Sequence, residues 1–331
     1  MGRSIAEVIA AAPLYRDLPA GEIAELADGL DLRRFAPGEA LMVQGDASDG
    51  AYVIASGTVA VSTRLPGGGE TGLATLGPGD LLGEMALLMR GGRRTATARA
   101  LEPVEALFTD YRYLEASLHR LRPASLNVMR RLGLTIADRL RAIRVKSRAL
   151  VEADPDEGLL RAPPAATGEA SAAFDERRFL PILPPLREFS PQEIDILFAA
   201  GRIEAALRGT VLAEEGQAVD APRLVVRGAL LLGQAHGRGI CQLDILGPGR
   251  FAGVAPVLEG APAGASILAA ENSTLLAFDA DRFRALWTGA DAMALRLLEA
   301  VNGDLVQSLN TASNQLTRLT AQARVRDLAG V

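Results

Sequence analysis

The chain has 331 residues, with 40 acidic against 35 basic side chains, a formal charge of −5, one cysteine and two histidines. That length accommodates two domains with cores of their own. The single cysteine excludes an intrachain disulfide framework or a cysteine-ligated iron–sulfur cluster, two histidines are too few for a histidine-built metal triad, and the acidic balance excludes bulk attraction to nucleic acid or anionic lipid.

From Ile5 to Leu30 the apolar residues recur at helical spacing, broken by Pro13 and Pro19, which predicts short amphipathic helices. From Leu32 the pattern changes to short alternating segments punctuated by Pro-Gly, Gly-Asp and Ser-Gly, the signature of an all-β sandwich or barrel. Tyr52 to Ile54 and Val59 to Val61 flank a Ser56-Gly57 turn, and Gly67 to Glu70 reads as a hairpin loop. Gly77-Pro78-Gly79-Asp80 delivers the chain into the stretch Leu81 to Ala100, and Thr95 to Phe108 reads as the closing strands. A long helix is predicted from Pro123 onward, with Met129, Leu132, Ile136, Leu140 and Ile143 on one stripe. Its other faces are basic, and a solvated helix face accounts for them because no turn and second helix follow to read DNA.

The stretch Leu81 to Ala100 carries the chemistry. A helix beginning near Met85 aims backbone N–H groups and a positive dipole end at an anion, Arg94 adds a planar charged fork, and Glu84 accepts from a neutral hydroxyl. The order and spacing resemble the phosphate-binding cassette of cyclic nucleotide-binding domains, as in the bacterial catabolite activator and the regulatory subunits of cyclic-nucleotide-dependent kinases. The resemblance implies that Glu84 holds the ribose 2′-hydroxyl and Arg94 the cyclic phosphate, with Gly83, Met85, the N–H groups of Ala86 and Leu87, Arg93 and Thr95 completing the cradle. It departs at Arg93, where the kinase type usually has proline, and at Leu82, where an aromatic is common. It also implies that the long helix covers the purine, which makes Arg141, Ile143 and Arg144 lid candidates by position. Thr95 carries a hydroxyl suited to the exocyclic amine of a syn guanine, so the implied ligand is cyclic AMP or cyclic GMP, with no cofactor and no metal.

Residues 152 to 174 are rich in Asp, Pro, Gly, Ala, Ser and Thr and read as a linker between a first domain, 1 to 151, and a second, 175 to 331. The second domain repeats the first. Glu22-Ile23 matches Glu193-Ile194, Pro37-Gly38 matches Arg208-Gly209, Gly45 matches Gly216 and Gly57 matches Gly228, all at one offset; Gly77-Pro78-Gly79 recurs as Gly247-Pro248-Gly249 and Phe108 as Phe278, one residue out of that register. Such self-similarity predicts two copies of one fold, mainly β with flanking helices: two tandem jelly-roll barrels of the cyclic nucleotide-binding type. In the second cassette Val254 stands for Glu84, Gly264 for Arg94 and Pro256 for Ala86, so the gripping groups are gone and no cyclic nucleotide is expected there.

In the last helix Leu305, Leu309, Ala312, Leu316, Leu319 and Ala323 keep a heptad spacing. Two readings share it: a coiled-coil homodimer, and a terminal helix packed on its own barrel. Among function classes, a non-enzymatic cyclic nucleotide sensor leads, with a ligand-independent scaffold that docks to a larger protein partner as the alternative. A DNA-binding regulator lacks a helix-turn-helix, and no nucleophile elbow, Walker loop or kinase signature supports an enzyme. No signal peptide or membrane span is seen, which with the lone Cys241 predicts a cytoplasmic protein. Lys146 as the only lysine, with abundant Arg and Ala, points to a GC-rich bacterial genome.

Overall fold

The computed structural model describes residues 4–12, 15, 18–64, 69–83, 92–152, 159–160, 176–236 and 239–329. The chain divides into two compact units, Met1–Ile136 and Ala137–Val331. The division falls inside the long helix instead of at its end.

The first unit opens on helix α1 (Ile5–Ala11), started by a capping box in which Ser4 and Glu7 satisfy each other's backbone N–H groups, and α2 (Ala20–Ala27). Two four-stranded antiparallel sheets follow. One has the order β1 (Asp31–Phe35), β8 (Val104–Asp110), β3 (Gly50–Ser56), β6 (Leu81–Leu82); the other runs β2 (Ala40–Met42), β7 (Thr97–Ala100), β4 (Val59–Arg64), β5 (Glu70–Leu76). Alternating residues of both sheets, among them Ile54, Val59, Leu82, Ala98, Ala106 and Phe108, close on one core. Gly57 turns β3 into β4 at φ +83°, where an added Cβ would meet the carbonyl oxygen of Pro103 at 2.4 Å. Only glycine fits that corner. Helix α3 (Tyr111–His119) leads to α4 (Pro123–Glu152), whose stripe residues Met129, Leu132, Ile136 and Leu140 are buried, as the helical spacing predicts, while the last of the stripe, Ile143, is half-buried.

The second unit repeats the plan. Helix α5 (Glu176–Phe179), two 3-10 turns and α6 (Pro191–Ala199), again started by a capping box, Ser190 with Glu193, precede the strands β10 (Gly201–Ala206), β17 (Ser273–Phe278), β12 (Arg223–Arg227), β15 (Phe251–Ala252) of one sheet. The other sheet orders β11 (Val211–Ala213), β16 (Ser266–Ala269), β13 (Leu230–His236), β14 (Gly239–Leu246) and β9 (Leu159–Leu160). Strand β9 lies within the stretch read as linker: Leu159 and Leu160 pair with Cys241 and Ile240. Two adjacent leucines are too short a run to show as a strand, and only the open edge of β14 makes them one. Helices α7 (Val254–Glu259), α8 (Ala280–Thr288) and α9 (Ala292–Ala329) complete the unit.

Helix α9 shows the second of the two packing readings. Of the heptad, Leu309, Ala312, Leu316 and Leu319 are buried within the unit itself, Leu319 against Cys241, while Leu305 and Ala323 are half-buried. A stripe already covered in this way is not a free coiled-coil seam. The helix is also pinned by charge. Arg250 at the turn into β15 pairs through Nε with Asp304, and its Nη2 donates to Asp244 Oδ2 at 3.1 Å and to Ser308 Oγ at 2.8 Å. Burial outweighs the pull of Arg250 and pushes the Asp304 carboxyl up to about 6. The native carboxyl therefore holds a proton that the unfolded chain releases near pH 4. Stability of the second unit is expected to fall as pH rises from about 4 to about 6, and Asp304→Asn to flatten that part of the profile, as thermal melts across pH would read.

The two copies share their backbone hydrogen bonds, which fixes their register. Ile54 N donates to Asp80 O and Gly79 N to Ile54 O, as Val225 N does to Arg250 O and Gly249 N to Val225 O. Beyond the cassettes, Gly45 N donates to Arg94 O and Arg94 N to Asp46 O; Gly216 N donates to Ala263 O and Ala263 N to Gln217 O. Likewise Tyr52 sits opposite Phe108, and Arg223 opposite Ala277. The counterpart of Arg94 is therefore Ala263 and not Gly264, and that of Phe108 is Ala277 and not Phe278. The second cassette is one residue shorter than the glycine pattern suggests, because strand pairing sets the register and a loop deletion is invisible to turn residues on either side.

Candidate functional site

Arg94 enters the first barrel just before β7, its backbone carbonyl accepting from Gly45 N and its N–H donating to Asp46 O. Its side chain is 4% exposed. Nη2 donates to Asp49 Oδ1 at 2.9 Å, while Nη1 is buried with no hydrogen-bond partner among the described residues. Asp49 is itself 66% exposed, so this ion pair is a weak reason to bury a guanidinium. A buried donor left open costs stability unless something fills it, and a planar cation with one free edge is a fork for an oxyanion.

Gly83 forms the facing wall. It ends β6 at φ +84°, and an added Cβ would meet Arg94 Nη1 at 2.2 Å. Tyr111 supports that wall: its hydroxyl donates to Gly83 O at 2.8 Å and lies 2.8 Å from Ser48 Oγ. Asp49 and Tyr111 are site residues that sequence reasoning missed. Neither carried a signal in the sequence, because the role of each rests on a contact across the fold, Asp49 with Arg94 and Tyr111 with Gly83.

Of the residues named from the sequence, Gly83 and Arg94 come together as expected. Arg93 is exposed and donates from Nη1 to Gly45 O at 2.7 Å, so it braces its own loop. Thr95 is exposed beside it. Glu84, Met85, Ala86 and Leu87 lie outside the described residues. Arg141 and Arg144 sit in the second unit: Arg141 pairs with Asp138 at 2.7 Å and with Glu259, and Arg144 lines a cavity there. Their placement follows from the half of α4 that packs on that unit, a choice that the apolar stripe leaves open.

The second barrel has rewired the same corner. Ala263, 5% exposed, stands where Arg94 stood. Asp220, the counterpart of Asp49, is paired instead with Arg223, which replaces Tyr52 and donates to Asp220 Oδ1 at 3.0 Å and to Glu204 Oε2 at 3.0 Å. Burial raises the Asp220 carboxyl, but the hydrogen bond and charge of Arg223 outweigh it and hold the group below the usual carboxylate range. The carboxylate that lost one arginine has acquired another, so the fold bears no orphaned charge. Pro256 sits in the first turns of α7 without an N–H to give.

A sequence model described as "Cyclic nucleotide-binding domain" matches residues 32–120 and 204–288. The chain is 36% identical over 222 residues to the cyclic AMP receptor protein of Thermus thermophilus, an alignment covering 66% of this chain and 94% of that one. It is 36% identical over 88 residues to the cAMP-dependent protein kinase regulatory subunit of Mycosarcoma maydis, covering 27% of this chain and 17% of the relative. Among solved structures, the regulatory domain of Toxoplasma gondii PKA with cAMP aligns over 85% of this chain and 90% of its own, at 16% identity and a TM-score of 0.30.

Proposed function

The chain belongs to the cyclic nucleotide-binding domain family, and we propose on that premise that its first barrel binds one cyclic AMP or cyclic GMP per chain and that the protein is a non-enzymatic regulator. The observation that carries the reading is the Arg94 guanidinium, buried with one open edge against Gly83. A cyclic phosphate supplies the acceptor that edge lacks. Glu84 takes the ribose 2′-hydroxyl and the N–H groups of Ala86 and Leu87 the phosphate. The output runs through α4, the helix on which both units draw. We place the protein in the cytosol. No described helix is long and apolar enough to cross a membrane.

Isothermal titration with cyclic AMP and cyclic GMP in parallel tests this. One site per chain for either nucleotide is the expected result, with a melting midpoint that rises on saturation because the ligand binds the folded state alone. Two sites would contradict the account of Ala263 and Pro256. No heat and no shift with either would favour the scaffold reading.

Gly83→Ala probes the wall. The left-handed backbone costs about 1–2 kcal/mol once a Cβ is present. The methyl also displaces the guanidinium from its edge. We expect a lowered melting midpoint for the first unit and nucleotide affinity down by about tenfold or more, the effect of moving one charge-assisted contact out of reach.

A further inference from the structure

The second barrel has lost the groups for a phosphate, yet it keeps a cavity of about 420 Å³ within its unit, in the position the cassette would serve. This cavity is a cleft open at a rim that includes Arg141 and Val145, and a concave, mostly apolar cleft with a few polar groups is the usual form of a small-molecule site. Its walls are mostly apolar, including Leu140, Leu232, Phe251, Val254 and Ile267. Among the described residues, two polar atoms on these walls are buried without a hydrogen-bond partner: Gln234 Oε1 and Arg144 Nε. Gln234 is only 4% exposed, and its amide nitrogen is already spent on Glu215 Oε1 at 3.3 Å and Gly264 O at 3.2 Å. The cavity thus offers one open acceptor and one open donor.

The charges decide what can enter. Arg148 pairs with Glu215 at 2.9 Å and Arg141 with Asp138 and Glu259. Arg250 is held by Asp244 and Asp304. Arg144 lies in the field of the same two carboxylates, and burial draws its guanidinium down to about 10. Arg141, Arg148 and Arg250 are thus paired with carboxylates, Arg144 lies near two more, and an anion brought in would meet Glu215 and Asp304 on the wall. We propose that the second barrel binds a neutral, largely apolar small molecule that gives a hydrogen bond to Gln234 and accepts one from Arg144. Lactams and heteroaromatic amides carry one such donor and one such acceptor; phosphate esters and carboxylates bring a negative charge instead.

Three bicyclic probes of one size separate the chemistries: 2-quinolinone, which is neutral with an adjacent donor and acceptor, 2-naphthoate, which is anionic, and naphthalene, which has no polar group. Saturation-transfer NMR and titration on the full chain read their binding. The expected order is 2-quinolinone first, with an affinity of about millimolar or tighter for so small a ligand, and at least about tenfold over either control. Ala263→Phe, which fills space that in the first barrel houses an arginine side chain, is expected to abolish binding. Gln234→Met, close in volume, is expected to cut 2-quinolinone binding about tenfold and to leave naphthalene unchanged. Melting curves confirm that each variant folds, and Gln234→Met keeps the test decisive should Ala263→Phe unfold. Tighter binding of 2-naphthoate, equal binding of naphthalene, no binding of 2-quinolinone, or binding untouched by folded Ala263→Phe would each overturn the proposal. None of these outcomes depends on whether the first barrel takes a nucleotide.

Discussion

Arg94→Ala is expected to weaken cyclic nucleotide binding by tens to thousands of fold while leaving the unliganded protein's melting point in place or slightly raised. The two halves of that result have separate causes. In the complex, the guanidinium is the buried cation facing the phosphate, and removing one member of such a pair costs about 2–5 kcal/mol, which at about 1.4 kcal/mol per tenfold gives the range above. In the free protein the same side chain is 4% exposed, holds one carboxylate that is itself mostly solvated, and leaves Nη1 open. Its removal lets Asp49 return to water and relieves the burial of an unmatched donor. Arg94→Lys should recover only part of the affinity, because an ammonium is a point charge and cannot hold two oxygens in one plane. Calorimetric titration alongside a melting curve reads both halves. Unchanged affinity would remove Arg94 from the site, and a collapse of the unliganded fold would make it a structural residue.

The second large effect is expected at Arg250→Leu, where the second unit should lose about 3–5 kcal/mol. For a unit of this size that is a fall of about 6–20 °C in melting temperature. Arg250 lies between Asp244 and Asp304 and makes direct hydrogen bonds to both. Without it two carboxylates face each other at 8% and 7% exposure. Phe251 N also relies on Asp304, whose Oδ2 accepts from it at 3.3 Å, so the join between β15 and α9 loosens as well. The defect should shrink as pH is lowered towards 5, since a proton shared by the two acids replaces the missing cation. Adding Asp304→Asn should restore stability by the same logic, and a double variant no better than the single one would show that packing and not charge is lost. Because the arginine lies outside the first unit, nucleotide titration of the variant below its melting point is expected to match that of the parent chain.

Much of the architecture could be read from the residues because its signals are local. Gly57 and Gly228 recur at turns that only glycine can make, Pro123 opens a helix, the apolar run Tyr52 to Ile54 marks a buried strand and the alternation of Val59 to Val61 a half-buried one. Repetition of such signals at a steady offset was enough for two barrels, and the match to the family model spans both. Gly83 and Arg94, which the fold brings side by side, could be named as candidates for the same reason: both lie in one continuous stretch whose chemistry is in its residue types.

What the residues left open are matters of long-range pairing. Only the hydrogen bonds of Ala263 to Gly216 and Gln217 place that residue opposite Arg94, since a one-residue deletion in a loop leaves no trace in the turn pattern around it. The rescue of Asp220 by Arg223, the support of Gly83 by Tyr111 and the burial of the α9 heptad on its own unit each join residues distant in the chain. The apolar stripe of α4 fixes a helix and a buried face, but either barrel satisfies that face, and it took the folded second unit to claim Arg141, Arg144 and Arg148. Periodicity specifies that a side chain must be covered; which surface covers it is decided by the competition among all the surfaces that the fold brings within reach.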